Sequence, residues 1–275
     1  MHVAAVQLSA GPDTDANLAQ AERLVREAAG RGAQLIVLPE KWTALGSDDE
    51  QIAAAQRRDG AAVSLVRALA RELEVELVAG SYLERGDDGL VRNTSLLIDA
   101  AGEIRASYAK IHMFDVEVGG HVYRESAITA AGEDVVVAPL ADGTLVGLSV
   151  CYDVRFPELY RSLAFGGARV IAIPAAFTHT TTAAHWEVLV RARAIENQLF
   201  VVAANQVGEH GSGLRSGGRS MIIDPWGEVL ADAGAEVGVI DAVLDLGRVA
   251  AVREQIPALS GRRPDVYEAR EGARL

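Results

Sequence analysis

The stretch LVGLSVCYDVRFPELY, Leu145 to Tyr160, decides the fold class of this chain. Its first part, residues 145–150, is apolar and partly β-branched, which predicts a buried strand, and a helical pattern begins at Pro157. Cys151, the only cysteine in the sequence, therefore lies where a strand ends and a helix approaches, a position at which open α/β sheets bind ligands. A thiol near helix N-terminal amides can have a lowered pKa and act as a nucleophile. A buried structural cysteine is the alternative, and this stretch alone does not separate the two.

Strands alternate with helical patterns along the rest of the chain, and several neighbouring strands are joined as hairpins, which predicts an α/β fold with a mixed sheet or two sheets. Glu50 to Leu73 is broadly helical with a possible break at Gly60. Residues 111–125 are expected to form an irregular loop, and residues 208–218 a flexible, glycine-rich one. Nothing in 275 residues requires two domains. We expect one domain over residues 1–256 and an Arg-rich arm over residues 257–275 that packs on a partner subunit.

Composition excludes several classes of partner. The net charge of −12 argues against binding to nucleic acid or to an anionic membrane surface. One cysteine excludes an internal disulfide, and a reducing compartment, the cytoplasm, is the simplest expectation. The N-terminal residues lack the features of a signal peptide, and no apolar run is long enough to predict a membrane span. His179 and His185 would need further ligands to bind a metal ion, so we expect no metal site.

Lysine is rare in this chain. Of 26 basic side chains only Lys41 and Lys110 are lysines, so arginine serves wherever a surface cation suffices. A lysine that remains can be required as a compact ammonium group with a tunable pKa, or it can be retained by chance. We expect Lys41 to be structural or exposed, and Lys110, which closes a predicted strand, to be a candidate for chemistry.

Three chemically complementary residues stand at or just beyond the ends of predicted strands. Glu40 follows the strand Leu35–Leu38 and Pro39, Lys110 follows the strand Ile104–Tyr108, and Cys151 is the third. A carboxylate can accept the proton of a thiol, and an ammonium group can stabilise a thiolate and a tetrahedral oxyanion. These are the groups needed for attack on an amide or a nitrile. Read one at a time, Glu40 could instead be a helix cap and Lys110 a surface charge.

Three segments around these residues resemble the signatures of the nitrilase superfamily, the carbon–nitrogen hydrolases. They are LIVLPEKW (35–42), YAKIHMFD (108–115) and VGLSVCYDVRFPELYR (146–161). The resemblance extends over nearly the whole chain through IPAAF, AHWEVLVRARAIENQ and DPWGEVL, and it is greatest to the Nit branch, which includes omega-amidases and deaminated-glutathione amidases. It implies an αββα four-layer sandwich with a two-sheet mixed core, which dimerises into an αββα–αββα stack.

The same resemblance implies roles for individual residues. Glu40 is expected to be the general base, Lys110 the oxyanion stabiliser and Cys151 the nucleophile. A second glutamate is expected at Glu125, in a Glu-Ser pair after the lysine loop. Aliphatic amidases place that glutamate nearer the lysine, where this chain has Glu117. Substrate contacts are expected from Tyr152, Ala176 and Phe177, and Asp153 is expected to form a local ion pair with Arg155.

The function that the resemblance implies is a thiol-dependent amidase. It would hydrolyse the C–N bond of a small carboxylic amide to an acid and ammonia through a cysteine thioester, without a cofactor. A nitrilase and an N-carbamoyl-amine hydrolase are alternatives, because the same thiol can attack their substrates. An alternative of another class is a non-catalytic binding protein on this fold. A homodimer or higher homo-oligomer is expected.

Overall fold

The computed structural model describes residues 1–267. The strands are β1 (His2–Gln7), β2 (Leu35–Val37), β3 (Glu76–Val78), β4 (Tyr82–Arg85), β5 (Val91–Ile98), β6 (Ile104–Ala109), β7 (Asp115–Val118), β8 (His121–Arg124), β9 (Val137–Pro139), β10 (Leu145–Leu148), β11 (Val170–Ala175), β12 (Phe200–Asn205), β13 (Val207–Glu209), β14 (Arg215–Gly217), β15 (Met221–Ile223), β16 (Val229–Asp232) and β17 (Gly238–Val243). The helices are α1 (Thr14–Gly30), α2 (Asp48–Ala53), α3 (Ala61–Leu73), α4 (Pro157–Phe165), α5 (His179–Thr181), α6 (Glu187–Asn197), α7 (Gly247–Gln255) and α8 (Pro264–Tyr267), with a π-helical turn between α5 and α6.

In the first sheet, hydrogen-bonded neighbours follow the order β17-β1-β2-β3-β5-β4. Strand β6 also pairs with β5. Its β1, β2 and β3 run parallel, and β17 pairs with β1 in antiparallel orientation. Strand β1 is apolar at successive positions because both of its faces are buried. Val3 and Ala5 pack into the core shared with the second sheet, whereas Ala4 and Val6 pack with residues of α1 and α3.

The second sheet has the strand order β16-β15-β12-β11-β10-β9. Its three central strands are parallel and its outer strands antiparallel. Strand β12 packs on β1 and β2 of the first sheet, while α4 and α6 pack together and contact strands of the second. The molecule therefore has a helix layer, two sheets and a second helix layer, which confirms the predicted αββα sandwich.

The carboxyl ends of the parallel strands of both sheets meet at one edge. Leu8, just after β1, forms a β-bridge with Gln206, just after β12. The backbone N–H of Glu40 donates to the carbonyl of Ala175 at 3.3 Å, and the Gln206 side-chain amide donates to the carbonyl of Glu40 at 2.9 Å. This edge is where strand-terminal side chains from both sheets converge.

Two regions that we predicted as loops contain hairpins, so both predictions were wrong. Residues 115–124 form β7 and β8, joined by Gly119 and Gly120 with φ of 62° and 80°. Two successive left-handed residues are what a tight hairpin turn requires. Strands β13 and β14 pair within residues 207–217. The strands of both hairpins are short and carry many polar or exposed residues, so they lack the apolar alternation that identifies longer strands.

The predicted long helix of residues 50–73 is divided, as the glycine suggested. Helix α2 ends at Ala53, and Gly60 caps α3. Helix α7 ends at Gln255, and the first part of the predicted arm contains the exposed α8. Residues 268–275 of that arm lie outside the described residues. Among the helices of residues 1–267, none has the length and apolar composition needed to cross a membrane.

Candidate active site

Cys151 occupies a sharp turn directly after the second sheet's strand β10. It is the first residue of a 3₁₀ turn, Cys151–Arg155, and α4 begins two residues later with Pro157 at its first position. The φ of Cys151 is +49°, a left-handed value that side chains with a Cβ adopt at an energetic cost and that clusters at functional sites. The turn therefore holds the thiol in an orientation that the relaxed strand would not give.

Asp153 holds this turn in place. It is fully buried, and its Oδ2 accepts hydrogen bonds from the hydroxyl of Tyr108 at 2.7 Å and from the backbone N–H of Val150 at 2.8 Å. Its Oδ1 lies 2.7 Å from Nδ1 of His112. The predicted Asp153–Arg155 ion pair is wrong, because the Arg155 guanidinium lies instead over the rings of Tyr152 and Phe177. Strand β6 and the segment after it thus provide hydrogen-bond partners for the Asp153 carboxylate.

Glu40 is buried at the junction of the two sheets. Its Oε1 accepts from Nζ of Lys110 at 3.0 Å and from Nδ2 of Asn93 at 2.8 Å, and its Oε2 accepts from the backbone N–H of Ala176 at 2.8 Å. The Glu40 carboxylate is also near enough to the thiol of Cys151 to raise its pKa. Glu40 is therefore in direct contact with Lys110, and it shares the site with Cys151.

Glu125 is the second carboxylate on Lys110. Its Oε2 lies 2.7 Å from Nζ of Lys110 and accepts from the backbone N–H of Phe114 at 2.9 Å, and its Oε1 accepts from Nδ2 of Asn93 at 3.1 Å. Lys110 is only 2% exposed. Glu117, the other glutamate that we considered, lies exposed on β7. The lysine is thus clamped between Glu40 and Glu125.

Burial and these charges set the protonation states. Burial raises the pKa of the Cys151 thiol well above its usual value, and the Glu40 carboxylate raises it further, although Lys110 opposes both. This direction is opposite to the lowered thiol pKa that a helix N-terminus alone can produce. Burial alone would lower the pKa of Lys110, but Glu125 and Glu40 more than offset this and raise it. Burial disfavours a charged Glu125, yet Lys110 and then Lys41 hold its pKa well below the usual range.

The groups stand at the bottom of a cavity of about 320 Å³. Cys151, Glu40, Lys110 and Glu125 all line it, as do the predicted contact residues Tyr152, Ala176 and Phe177. Further walls come from the two hairpins and the segment around α2, through the side chains of Lys41, Leu45, Gln51, His121, Tyr123, Arg124, His210, Arg215 and Ser216 among others. The cavity is within the size range of sites for small molecules.

Sequence reasoning missed two residues of this site. Asn93 is fully buried on β5 and donates to both carboxylates. The signal for it was the polar run of residues 92–95 within a strand whose other residues are apolar. Lys41, expected to be structural or exposed, lines the cavity with its Nζ 3.4 Å from Oε1 of Glu125. The scarcity of lysine was the available signal for Lys41.

The arrangement brings a thiol, a carboxylate and a buried cation to the lining of one cavity. A thiol that is neutral at rest needs a base at the moment of attack, and Glu40 is placed to act as one. Lys110 adds a buried positive charge, the kind of group that can stabilise an oxyanion. Residues 1–267 contain no cluster of three or more His, Cys, Asp or Glu side chains suited to holding a metal ion.

Comparisons with known proteins identify the family of this chain. The profile of the family described as carbon-nitrogen hydrolase matches residues 2–254. A curated relative from Synechocystis, named deaminated glutathione amidase, is 42% identical over 264 residues, covering 94% of this chain and 97% of the relative.

Two solved structures share the fold. The NitFhit protein of C. elegans superposes with a TM-score of 0.91 at 38% identity, covering 97% of this chain. This chain spans 66% of that longer chain, just under two thirds. Nit3 of Saccharomyces cerevisiae, described as a member of branch 10 of the nitrilase superfamily, superposes with a TM-score of 0.87 at 30% identity over 96% of both chains.

Proposed function

The chain belongs to the carbon–nitrogen hydrolase family and is an enzyme acting on C–N bonds, and from this premise we propose that it hydrolyses a small linear amide with Cys151 as nucleophile. The observation that carries the proposal is that Cys151, Glu40 and Lys110 line one cavity, where they are buried and Lys110 donates to Glu40 at 3.0 Å. Each group has the chemistry that a step of amide hydrolysis requires.

The reaction begins with the neutral thiol. Glu40 accepts the thiol proton as Sγ of Cys151 forms a bond to the amide carbon, so no free thiolate is needed. Burial and then Glu40 raise the pKa of the thiol. Transfer of the proton during attack therefore costs less free energy than forming a free thiolate first. The electron pair of the carbonyl moves to its oxygen, and a tetrahedral intermediate results.

Lys110 and the backbone N–H of Tyr152 stabilise this oxyanion. Lys110 remains charged, because the nearby Glu125 and Glu40 raise its pKa against the effect of burial. Glu125 orients the ammonium group through its 2.7 Å contact, and Asn93 orients both carboxylates. A preorganised cation in a buried site is worth more to a developing charge than the same cation in water.

The tetrahedral intermediate then breaks down with loss of the nitrogen rather than the sulfur. Protonated Glu40 gives its proton to the departing nitrogen, the C–N bond breaks, and the acyl group remains on Sγ as a thioester. Glu40 next accepts a proton from water as the hydroxyl adds to the thioester carbon. The C–S bond then breaks, Glu40 returns the proton to Sγ, and the acid is released with the thiol restored. The products are the acid and ammonia.

The relatives favour an amide over the other substrates of this chemistry. The Synechocystis protein is named as an amidase of deaminated glutathione, and we propose an amide of related type for this chain. A nitrile or an N-carbamoyl compound would use the same thiol, but no specific feature of the cavity favours either. The intact catalytic network argues against a non-catalytic binding protein.

We further propose one hydrolase domain over residues 1–256, a homodimer, and a cytoplasmic location. The exposed apolar side chains on the outer face of the second helix layer, Phe165, Val188 and Ile195, support association between subunits. The reduced state that a single catalytic thiol requires supports a reducing compartment.

The test is ammonia release from a panel of short amides, nitriles and N-carbamoyl compounds by the wild type and by Cys151→Ala. We expect the wild type to prefer amides, and Cys151→Ala to lose turnover while its circular dichroism spectrum is unchanged. Near-normal turnover by Cys151→Ala would refute the assignment of the nucleophile.

A further inference from the structure

A second cavity, of about 370 Å³, lies apart from the catalytic one, and no described residue lines both. Charged and hydroxyl side chains form most of its wall. The charged residues among the described part of the wall are four arginines and two carboxylates, namely Arg57, Arg58, Arg85, Arg92, Glu84 and Asp87. This wall therefore carries two more positive than negative charges, in a chain whose net charge is −12. Such a wall offers little surface to an apolar ligand and attracts an anion.

Strands β4, β5 and β6 form one side of this cavity. Glu84 is directly opposite Arg92, and Thr94 is directly opposite Ala109, in the antiparallel pairs. Opposite residues face the same side of a sheet, as do residues two apart along a strand. These four side chains therefore lie on the face opposite to that of Asn93, which contacts the catalytic carboxylates. The second cavity thus lies behind the catalytic strands.

The segment between α2 and α3 forms the other side. Gln56 makes a parallel β-bridge with Glu84, and the backbone N–H of Arg85 donates to the carbonyl of Gln56 at 2.8 Å. Because these contacts fix the chain just before Arg57 and Arg58, both arginines are placed beside β4. The position of the two guanidinium groups is therefore set by backbone pairing.

One arginine of the wall is fully engaged with a carboxylate. Nε and Nη2 of Arg58 contact the two oxygens of Glu84 at 2.7 and 2.9 Å, and Nη2 also lies 3.0 Å from Oγ of Ser107. The Glu84 side chain is only 12% exposed, so this bidentate pair is the firm one. The charge of Glu84 is thereby matched, and three arginines remain.

Two of these three pair with carboxylates that water already surrounds. Arg57 lies 2.5 Å from Asp87 and 3.9 Å from Asp59, and both aspartates are 88% exposed. Arg92 lies 2.7 Å from Asp88, which is about half exposed. Exposed ion pairs of this kind contribute little to stability. A ligand with negatively charged oxygens can therefore replace these aspartates at small cost.

Two further groups of the wall have unused hydrogen-bonding capacity. Arg85 donates to the carbonyl of Ile52 at 3.2 Å and makes no ion pair within residues 1–267. Thr94 is 1% exposed, and its Oγ1 has no hydrogen-bond partner among the described residues. Leaving a buried hydroxyl unpaired is costly, and a polar ligand in the cavity would supply its partner.

We propose that this second cavity binds a phosphorylated sugar, with the phosphate group held by Arg57, Arg85 and Arg92. A phosphate monoester carries about 1.5 to 2 negative charges at pH 7 and three acceptor oxygens, which matches the excess charge of the wall. The planar guanidinium group pairs with phosphate oxygens in bidentate geometry. The cavity is large enough for a small molecule, and its hydroxyl and carboxylate groups suit sugar hydroxyls. The site does not depend on the reaction at Cys151.

The test is isothermal titration calorimetry in a buffer without phosphate or sulfate, with ribose 5-phosphate, inorganic phosphate and ribose as probes. We expect ribose 5-phosphate to bind with one site per chain, inorganic phosphate to bind more weakly and to compete with it, and ribose not to bind. Arg57→Gln and Arg92→Gln should each weaken ribose 5-phosphate binding by about 10- to 100-fold, the range for one hydrogen bond between charged groups. Circular dichroism checks that both variants are folded.

Two control variants make the result specific. Arg23→Gln removes a charge from α1, where the side chain is 61% exposed, and Lys41→Gln removes one from the catalytic cavity; both should retain the affinity of the wild type. A loss in Lys41→Gln with no loss in Arg57→Gln or Arg92→Gln would mean that phosphate binds in the catalytic cavity, and would overturn the proposal. Equal losses in Arg23→Gln and Arg92→Gln would indicate unspecific attraction and overturn it too. No saturable binding of ribose 5-phosphate, or binding no tighter than that of inorganic phosphate, would overturn the assignment to a phosphorylated sugar.

Discussion

Replacing Lys110 by methionine tests the electrostatic design of the site at its centre. The side chain is 2% exposed and its Nζ contacts Glu40 at 3.0 Å and Glu125 at 2.7 Å. Methionine fills a similar volume but leaves two buried carboxylates without their shared cation. Removing one partner of a buried ion pair costs about 3–5 kcal/mol, a large part of the roughly 5–15 kcal/mol that stabilises a typical domain.

The pH dependence of this loss has a definite sign. In the wild type the pKa of Glu125 lies below its unfolded value of 4.5, because Lys110 and Lys41 outweigh the opposing effect of burial. Its stabilising contribution is thus present above about pH 4.5 and lost as the pH falls further. Without Lys110, burial and the facing Glu40 raise the pKa of Glu125 above that of the unfolded chain. The folded variant then binds a proton that the unfolded chain has lost, and its stability decreases as pH rises.

Denaturant unfolding of both proteins at about pH 7.5 and about pH 5.5 measures the effect, at one protein concentration so that association does not enter. We expect a loss of about 3–5 kcal/mol at the higher pH, and a loss smaller by about 1–2 kcal/mol at the lower. Lys41→Met is the comparison variant. Its Nζ lies 3.4 Å from the same glutamate, a longer contact than that of Lys110, so we expect a smaller loss than for Lys110→Met. An equal loss for Lys110→Met at both pH values would refute the charge-based explanation.

Two further predictions concern neighbours of the thiol. Asn93→Ala removes the donor shared by Glu40 and Glu125, so we expect kcat/KM to fall by about 10- to 100-fold, and an unchanged rate in steady-state assays would contradict the role of Asn93. Burial and then the Glu40 carboxylate raise the pKa of the Cys151 thiol, and Glu40→Gln removes that negative charge. Alkylation by iodoacetamide should therefore reach its half-maximal rate at a lower pH than in the wild type. A shift to higher pH would show that Glu40 does not raise this pKa.

Local pattern was sufficient for the features that depend on neighbours in sequence. The apolar strand before Cys151 and the proline after it predicted the strand, turn and helix, and α4 spans Pro157–Phe165 as expected. The αββα arrangement followed from resemblance over the whole chain, since periodicity alone left a mixed sheet or two sheets open. The two hairpins that line the cavity were not predicted, because strands of three or four residues are too short to show a recognisable periodicity.

Long-range contacts were the part that sequence could not provide. Asn93 is 53 residues from Glu40 and 32 from Glu125 in the sequence. The sequence of its own strand does not indicate that it contacts these two residues. The direction of the thiol pKa was missed for the same reason, because a helix N-terminus is a local feature whereas burial beneath two hairpins and contact with Glu40 are not. Asp153 likewise contacts Tyr108 and His112 from a distant strand rather than its neighbour Arg155.

The central claim is that Sγ of Cys151 becomes acylated by the substrate amide. Intact and peptide mass spectrometry after rapid acid quenching during turnover measures this directly, with Cys151→Ala as the reference. The account predicts a mass increase equal to the acyl group, confined to the peptide containing Cys151, removed by hydroxylamine and absent from the variant. Steady turnover with no adduct at Cys151 under any quench, or an adduct on another residue, would contradict it.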